Sequence, residues 1–186
     1  MADPNMADPL FEIKGRIALI TGGTSGIGLM IARGLVARGV KTYITGRDQA
    51  HTNGLAAELS DGGGTCIGLR ADLADPDGPQ ALAAAFAAHE SRLDLLINNA
   101  GTNAPGALRD LTQLDWDLVM SVNLRAAFFV VQRLLPQLRA AARGGHGARI
   151  INIGSIGGLH VPNWEAHAYG ASTAALDHLT RSLAKA

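Results

Sequence analysis

The sequence predicts an α/β domain, a doubly wound parallel sheet with helices on both faces, three layers deep. Three observations carry that expectation. Short aliphatic runs alternate with helical patterns from Arg16 onward, as strand–helix–strand units with right-handed crossovers do. Only 17% of residues are charged while 47% are apolar, which suits strands covered on both faces. A glycine-rich stretch, Thr21–Gly28, falls where the first strand hands over to the first helix. At 186 residues the chain holds one domain with a sizeable core, and not two.

Residues 1–10 are set apart from a single domain at 11–186. Met-Ala-Asp-Pro occurs at 1–4 and again at 6–9, acidic and proline-broken, without the basic-then-apolar order of a signal peptide. Arg16–Thr21 is the first strand. Gly28–Gly39 has helical spacing and ends on a glycine suited to a left-handed turn. Lys41–Thr45 is the second strand, a helix follows over Asp48–Ser60, and Asp61–Gly64 turns into the third strand, Thr65–Leu69. An alanine-rich helix spans Pro76–Arg92, and Leu93–Ile97 is the fourth strand. A long helix runs from about Leu114 to Arg143, with a kink or break expected at Pro136. Arg149–Ile153 is the fifth strand and His167–Ala186 the last helix.

The charge balance narrows the function. Sixteen basic and sixteen acidic residues cancel, so nothing points to nucleic acid or an anionic membrane surface. No apolar run is expected to reach the ~18 residues of a membrane span, and a cytoplasmic location is expected. Cys66 is alone, which leaves no internal disulfide and no cysteine metal cluster; it reads as a small core residue. The six histidines do not pair with carboxylates at metal-ligand spacing, so no catalytic metal is expected.

Within Thr21–Gly28, Gly22 can take a positive φ as the chain leaves the strand. Gly26 lets the main chain approach a pyrophosphate, and Gly28 lets the helix pack close to the sheet. Amides at the helix start, aided by its dipole, then face the phosphates, and Thr24 and Ser25 add hydroxyls beside Ile27. The spacing is Gly-x-x-x-Gly-x-Gly, not the Gly-x-Gly-x-x-Gly of longer dehydrogenases.

This turn resembles the cofactor loop of the short-chain dehydrogenase/reductase family, which has a Rossmann-type fold. Asn98-Asn99-Ala100-Gly101 is similar to that family's Asn-Asn-Ala-Gly signature, and Asn123, Ser155 and Tyr169 match its catalytic residues in order. Arg149–Ser155 with Ala168–Ala175 looks most like bacterial 3-oxoacyl-carrier-protein reductases, including their relatives in glycolipid synthesis. The resemblance implies hydride transfer between a nicotinamide cofactor and a carbonyl or secondary alcohol on a small molecule. It also implies a homodimer or homotetramer through the long helix and the last one. Phe128, Phe129, Val130, Val131, Leu134 and Leu135 on the long helix are more apolar surface than one sheet face needs.

The second strand ends in Gly46-Arg47 where an acidic residue would hold the ribose diol of NAD. Arg47 can pair with a 2′-phosphate, so NADP(H) is favoured over NAD(H), with Asp48 beside it arguing the other way. Asp72-Leu73 resembles the family's adenine-binding pair, although an aspartate there also suits a turn. Asn99 is expected to brace the central strands through main-chain hydrogen bonds, with Ala100 and Gly101 beside the cofactor.

Reduction builds negative charge on the carbonyl oxygen, so an acid must stand next to the nicotinamide. By resemblance Tyr169 donates the proton, Ser155 stabilises the oxygen and Asn123 holds a relay water. A phenol titrates near ~10, and the family corrects this with a lysine one helical turn after the tyrosine. Here that position is Thr173. A positive charge at ~5–6 Å and an effective dielectric of ~20 is worth roughly 3 kcal/mol, which threonine cannot supply. Lys14, Lys41 and Lys185 offer no evident substitute. Family members also continue past the last helix into further strands, which this sequence is expected to lack. Impaired turnover is therefore expected, and two alternatives stand beside the enzyme: a non-catalytic dinucleotide-binding relative, and a truncated chain with no independent role. Trp164, His160 and His167, in the Ser155–Tyr169 connection, either line the substrate pocket or face solvent.

Overall fold

Five parallel strands form one sheet in the computed structural model, which describes residues 12–185 apart from 146 and 162. They are β1 (Ile17–Ile20), β2 (Lys41–Gly46), β3 (Cys66–Arg70), β4 (Leu95–Asn98) and β5 (Arg149–Asn152), in the spatial order β3-β2-β1-β4-β5. The duplicated start at 1–9 lies outside the described residues. The helices are α1 (Gly26–Val36), α2 (Gln49–Ser60), α3 (Gly78–Ala87), α4 (Gln113–Met120), α5 (Ala126–Arg143) and α6 (His167–Leu183).

Successive side chains of a strand point to opposite faces, and here both faces are apolar. Leu19, Tyr43, Leu69 and Leu96 pack with Phe86 of α3 and Val130 and Leu134 of α5. Ala18, Ile20, Ile44 and Ile97 pack with α1 and α2 through Ala32, Val36 and Leu59. Cys66 belongs to this second layer, and burial pushes its thiol up to about 11, as the reading of a core residue requires. Among the described residues β5 is an edge strand, with Ile150 and Ile151 partly open to solvent.

The long helix departs from expectation in three ways. It runs unbroken through Pro136, which lies on an exposed part of the helix together with Gln132, the residue whose carbonyl its ring deprives of a partner. The interruption falls instead at Ser121–Arg125, a single π turn between α4 and α5. Residues Gln113–Arg143 also make one helical stretch of 31 residues, within which an 18-residue window reaches mean hydropathy 1.5, correcting the expectation that nothing reaches spanning length. Averaging attains this value although Arg125 and Arg133 interrupt the apolar run. The inward stripe Ala126, Val130, Leu134 and Leu138 is packed in the core, as in a core helix. The surplus apolar surface expected on α5 shrinks accordingly. Val130, Val131 and Leu134 serve the core, leaving Phe128, Phe129 and Leu135 half-buried.

Candidate active site

The strand order reverses between β1 and β4, and in open α/β sheets the crevice beyond the carboxyl ends at that point receives ligands. Thr21–Gly28 lies there. Gly22 and Gly26 adopt φ of 64° and 50°, where side-chain-bearing residues are penalised. A Cβ on Gly28 would stand 2.3 Å from the Gly22 carbonyl oxygen and 2.4 Å from Asn99 Nδ2, so only glycine lets α1 approach the turn. Around Gly26 nothing lies within 4 Å of such a Cβ, leaving its backbone open to a ligand.

The turn is tied to its neighbours by side chains. Asn99 Nδ2 donates to the carbonyls of Thr21 (3.1 Å) and Gly22 (3.0 Å), the bracing expected of it. Thr21 Oγ1 accepts from the amides of Asn99 and Ala100, and Thr45 Oγ1 accepts from that of Gly22. Both threonines were missed in the sequence; being β-branched in strands, they read as ordinary strand formers. Ser25 occupies the N-cap of α1 without using its hydroxyl as a cap, so that group and the first amides of the helix remain for an anion.

Two lobes open above this sheet edge. The first, about 440 Å³, is lined by Thr24, Ser25, Arg47, Asp72 and Leu73, among others. Asp48 does not contest the pocket with Arg47, since its carboxylate caps α2 by accepting from the His51 amide at 3.0 Å. Asp72 Oδ1 accepts from Ala74 N at 3.1 Å, so the turn role is real, and its other oxygen meets no donor among the described residues. The second lobe, about 460 Å³, brings together Asn123, Ser155, Tyr169 and Thr173 with Trp164 at its rim. Ile27, Asn99, Ala100, Gly101 and Thr102 line both lobes, so one ligand with two halves can lie across them. His160 and His167 line a neighbouring depression instead, which Trp164 shares.

In the second lobe Ser155 Oγ accepts from the Gly157 amide at 3.1 Å, leaving its own proton to donate. Asn123, buried in the π turn, donates to the Thr102 carbonyl (3.0 Å) and to Ser172 Oγ (3.1 Å), and accepts from the Thr102 amide (2.8 Å). Its side chain is thereby spent on joining the Thr102 loop to α6, and any relay water would have to meet its main chain. Ser172, three residues after Tyr169, was missed; as one hydroxyl among several on α6 it gives no signal of its own in the sequence. Thr173, only 6% exposed, donates its hydroxyl to the carbonyls of Tyr169 (2.9 Å) and Gly170 (3.1 Å). No charged side chain is among those lining this lobe in the described residues.

A parallel sheet wound on both faces, a glycine turn at its switch point, and a serine and a tyrosine facing one lobe define a dinucleotide-dependent oxidoreductase. The chain belongs to the short-chain dehydrogenase family, whose sequence profile matches residues 16–186. It is 44% identical over 177 residues to the rhamnolipids biosynthesis 3-oxoacyl-[acyl-carrier-protein] reductase of Pseudomonas aeruginosa, covering 95% of this chain and 69% of that one. It is 33% identical over 178 residues to the 2-dehydro-3-deoxy-D-gluconate 5-dehydrogenase of Dickeya dadantii, covering 94% and 66%. Among solved structures it is similar to the Pseudomonas aeruginosa RhlG/NADP active-site complex, with TM-score 0.91, 44% identity and coverage of 96% and 70%. A metagenomic short-chain oxidoreductase in complex with NADP is similar at TM-score 0.83 and 32% identity, covering 94% and 77%. The chain thus spans about two-thirds of these reductases' length, and is an oxidoreductase by family.

Proposed function

We propose that this chain reduces a carbonyl to a secondary alcohol with NADP(H), acting on 3-oxoacyl substrates like its Pseudomonas aeruginosa relative, and that Thr173 makes it slow. The observation that carries the reading is the two-lobed cleft, with Arg47 at one end and Ser155 and Tyr169 at the other. Thr24, Ser25 and the α1 amides would hold the pyrophosphate, Asp72 and Leu73 the adenine, and Arg47 the 2′-phosphate, with Asp48 engaged elsewhere. NADPH, when bound, supplies the hydride. Tyr169 then gives its phenolic proton to the carbonyl oxygen, while the free Ser155 proton hydrogen-bonds that oxygen and stabilises its growing charge. With no cation lining the second lobe among the described residues, the charge left on Tyr169 has no counter-ion there, and turnover suffers.

A non-catalytic dinucleotide-binding role is the second reading. It is favoured by Thr173, whose hydroxyl is turned back onto its own helix. Steady-state NADPH oxidation with short ketones and 3-oxoacyl thioesters separates the two. Slow turnover abolished by Tyr169→Phe is expected. NADPH binding without turnover, or turnover indifferent to Tyr169→Phe, establishes the second. We further propose a cytoplasmic homodimer or homotetramer that buries Phe128, Phe129 and Leu135, for which light scattering at micromolar concentration should give a mass above that of one chain.

A further inference from the structure

Tyr169 stands in the first turn of α6, and the start of that helix has no side-chain cap, because its N-cap is Ala166. Ser172, fully buried, donates its hydroxyl to the Tyr169 carbonyl at 2.9 Å. A serine that returns to its own helix is ordinary, and Thr173 makes a bond of the same length to the same carbonyl. A second bond separates the two residues. Ser172 Oγ also accepts from Asn123 Nδ2 at 3.1 Å, across 49 positions of sequence.

The bonds run in one order. Asn123 Nδ2 has two protons, one given to Ser172 and the other to the Thr102 carbonyl, while its oxygen takes the Thr102 amide. Ser172 has a single proton, spent on Tyr169, so toward Asn123 it can only accept. Thr102 lines both lobes, so this path ties the main chain of Tyr169 to a wall that the cofactor and the substrate share. Asn123 and Ser172 are 6% and 0% exposed, and removing the serine hydroxyl leaves a buried amide proton unpaired. The π turn that carries Asn123 is gripped from the first lobe as well, where Arg125 donates to the Ala74 carbonyl at 2.7 Å. We infer that Ser172 is a positioning residue for Tyr169, holding the phenol at a set place against the Thr102 wall so that it meets the carbonyl beside the nicotinamide. The effect on rate rests on the carbonyl-reductase reading of the cleft, and the effect on the setting of Tyr169 does not.

The protein has two tyrosines, so carbon-13 placed at tyrosine Cζ gives two resonances, and Tyr169→Phe identifies the one that belongs to Tyr169. With and without NADP+, that line should be single and sharp in the parent and broadened or split in Ser172→Ala. Affinity for NADP+ by calorimetry should stay the same. Ser172→Thr, which keeps the hydroxyl, should restore the parent line. Ser172→Cys, close to serine in shape but weak as donor and acceptor, should behave as the alanine variant, and it replaces that variant if Ser172→Ala does not fold. With an acetoacetyl thioester, kcat should fall roughly tenfold in Ser172→Ala while KM holds, as misplacing a reacting group by a fraction of an ångström would cause. A Tyr169 line indifferent to loss of the hydroxyl, or changed alike by alanine and threonine, overturns the inference, because a serine that only supports the fold would lower the melting temperature and leave the line alone. So does an unchanged kcat beside a broadened line. A parent that turns nothing over removes the reductase reading, and the line by itself then decides on Ser172.

Discussion

Beneath Gly22 and beneath Ser155 the same kinds of side chain are used differently. In the first lobe Thr21, Thr45 and Asn99 bind main-chain groups of neighbouring strands, far away in sequence. In the second, Ser155, which faces the substrate side, is held by Gly157 two residues on, and Thr173 by its own helix; Asn123 reaches across the fold, as does Asn98 at the lobe's base. Bonds between strands fix a shape whether or not a ligand is present. Bonds within a turn fix a rotamer but leave the chemistry to whatever residue stands there. The first lobe is thus built into the sheet, while the second can lose its function at one position without losing its fold.

The largest effect is expected where the first lobe is tightest. Gly28→Ala drives a methyl group into the Gly22 carbonyl and the Asn99 amide, and overpacking of that kind plus the displaced hydrogen bonds should cost about 3 kcal/mol. Urea unfolding should show the lower midpoint, and calorimetry should show NADPH binding lost. A Gly28→Ala protein that binds NADPH normally breaks the comparison, because the first lobe would then be as permissive as the second.

Thr173→Lys probes the other lobe. Residues four apart are neighbours on a helix, so the ammonium would stand beside Tyr169 in a lobe with room for it. The threonine hydroxyl it replaces bonds only to its own helix, so little is lost. From the roughly 3 kcal/mol of a charge at that distance, turnover should rise on the order of a hundredfold at neutral pH, with the rate profile moving to lower pH. Thr173→Lys combined with Tyr169→Phe should show no gain. A single variant that binds NADPH yet reduces nothing shows that position 173 is not the limiting defect.

The same division governs what could be read from the amino-acid sequence. Gly22, Gly28 and Asn99 were legible because their roles demand one residue type, a missing Cβ or a two-proton amide, at a fixed place after a strand. Thr173 was legible as a departure, because the charge it lacks has a calculable worth. The π turn at Ser121–Arg125 was not: it coincides with Asn123 reaching Thr102 and Ser172, contacts that no local pattern records. Pro136 misled for a related reason: whether a proline breaks a helix depends on where the stranded carbonyl faces, and that is a tertiary fact. Asp48 was ambiguous beside Arg47 until its carboxylate was found on the α2 amide.

Cofactor choice should respond to Arg47 alone. The residue is exposed at the rim of the first lobe, so its pairing with a 2′-phosphate is partly screened and worth about 1.4 kcal/mol. Arg47→Ala should weaken NADPH about tenfold and leave NADH unchanged by calorimetry, sharpening the view that the first lobe has a rigid frame and an adjustable rim. Equal affinity of the parent chain for both cofactors would remove the argument for NADP(H).

The smallest effect lies away from both lobes. Glu90, just beyond α3, accepts from Tyr43 Oη at 2.7 Å and pairs with Lys41 Nζ at 2.6 Å. Burial works against its charge, but the Lys41 and Tyr43 hydrogen bonds together outweigh it and hold the carboxyl below its usual range. Burial, aided by the same contact, pushes the Tyr43 phenol up. A carboxyl whose folded value lies below the unfolded one, about 4.3, stabilises the fold fully above that pH. The contribution then fades as pH falls through the folded value. Glu90→Gln keeps an acceptor for Tyr43 and removes the charge, so it should cost about 1 kcal/mol near pH 7. The gap in melting temperature between the parent and Glu90→Gln should close as the pH is lowered from 6 toward 3, while NADPH affinity at pH 7 stays the same in both. A gap independent of pH would mean that the pair acts through packing. A loss of NADPH affinity would mean that the first lobe is supported from the base of β2 as well as by the bonds among Thr21, Thr45 and Asn99.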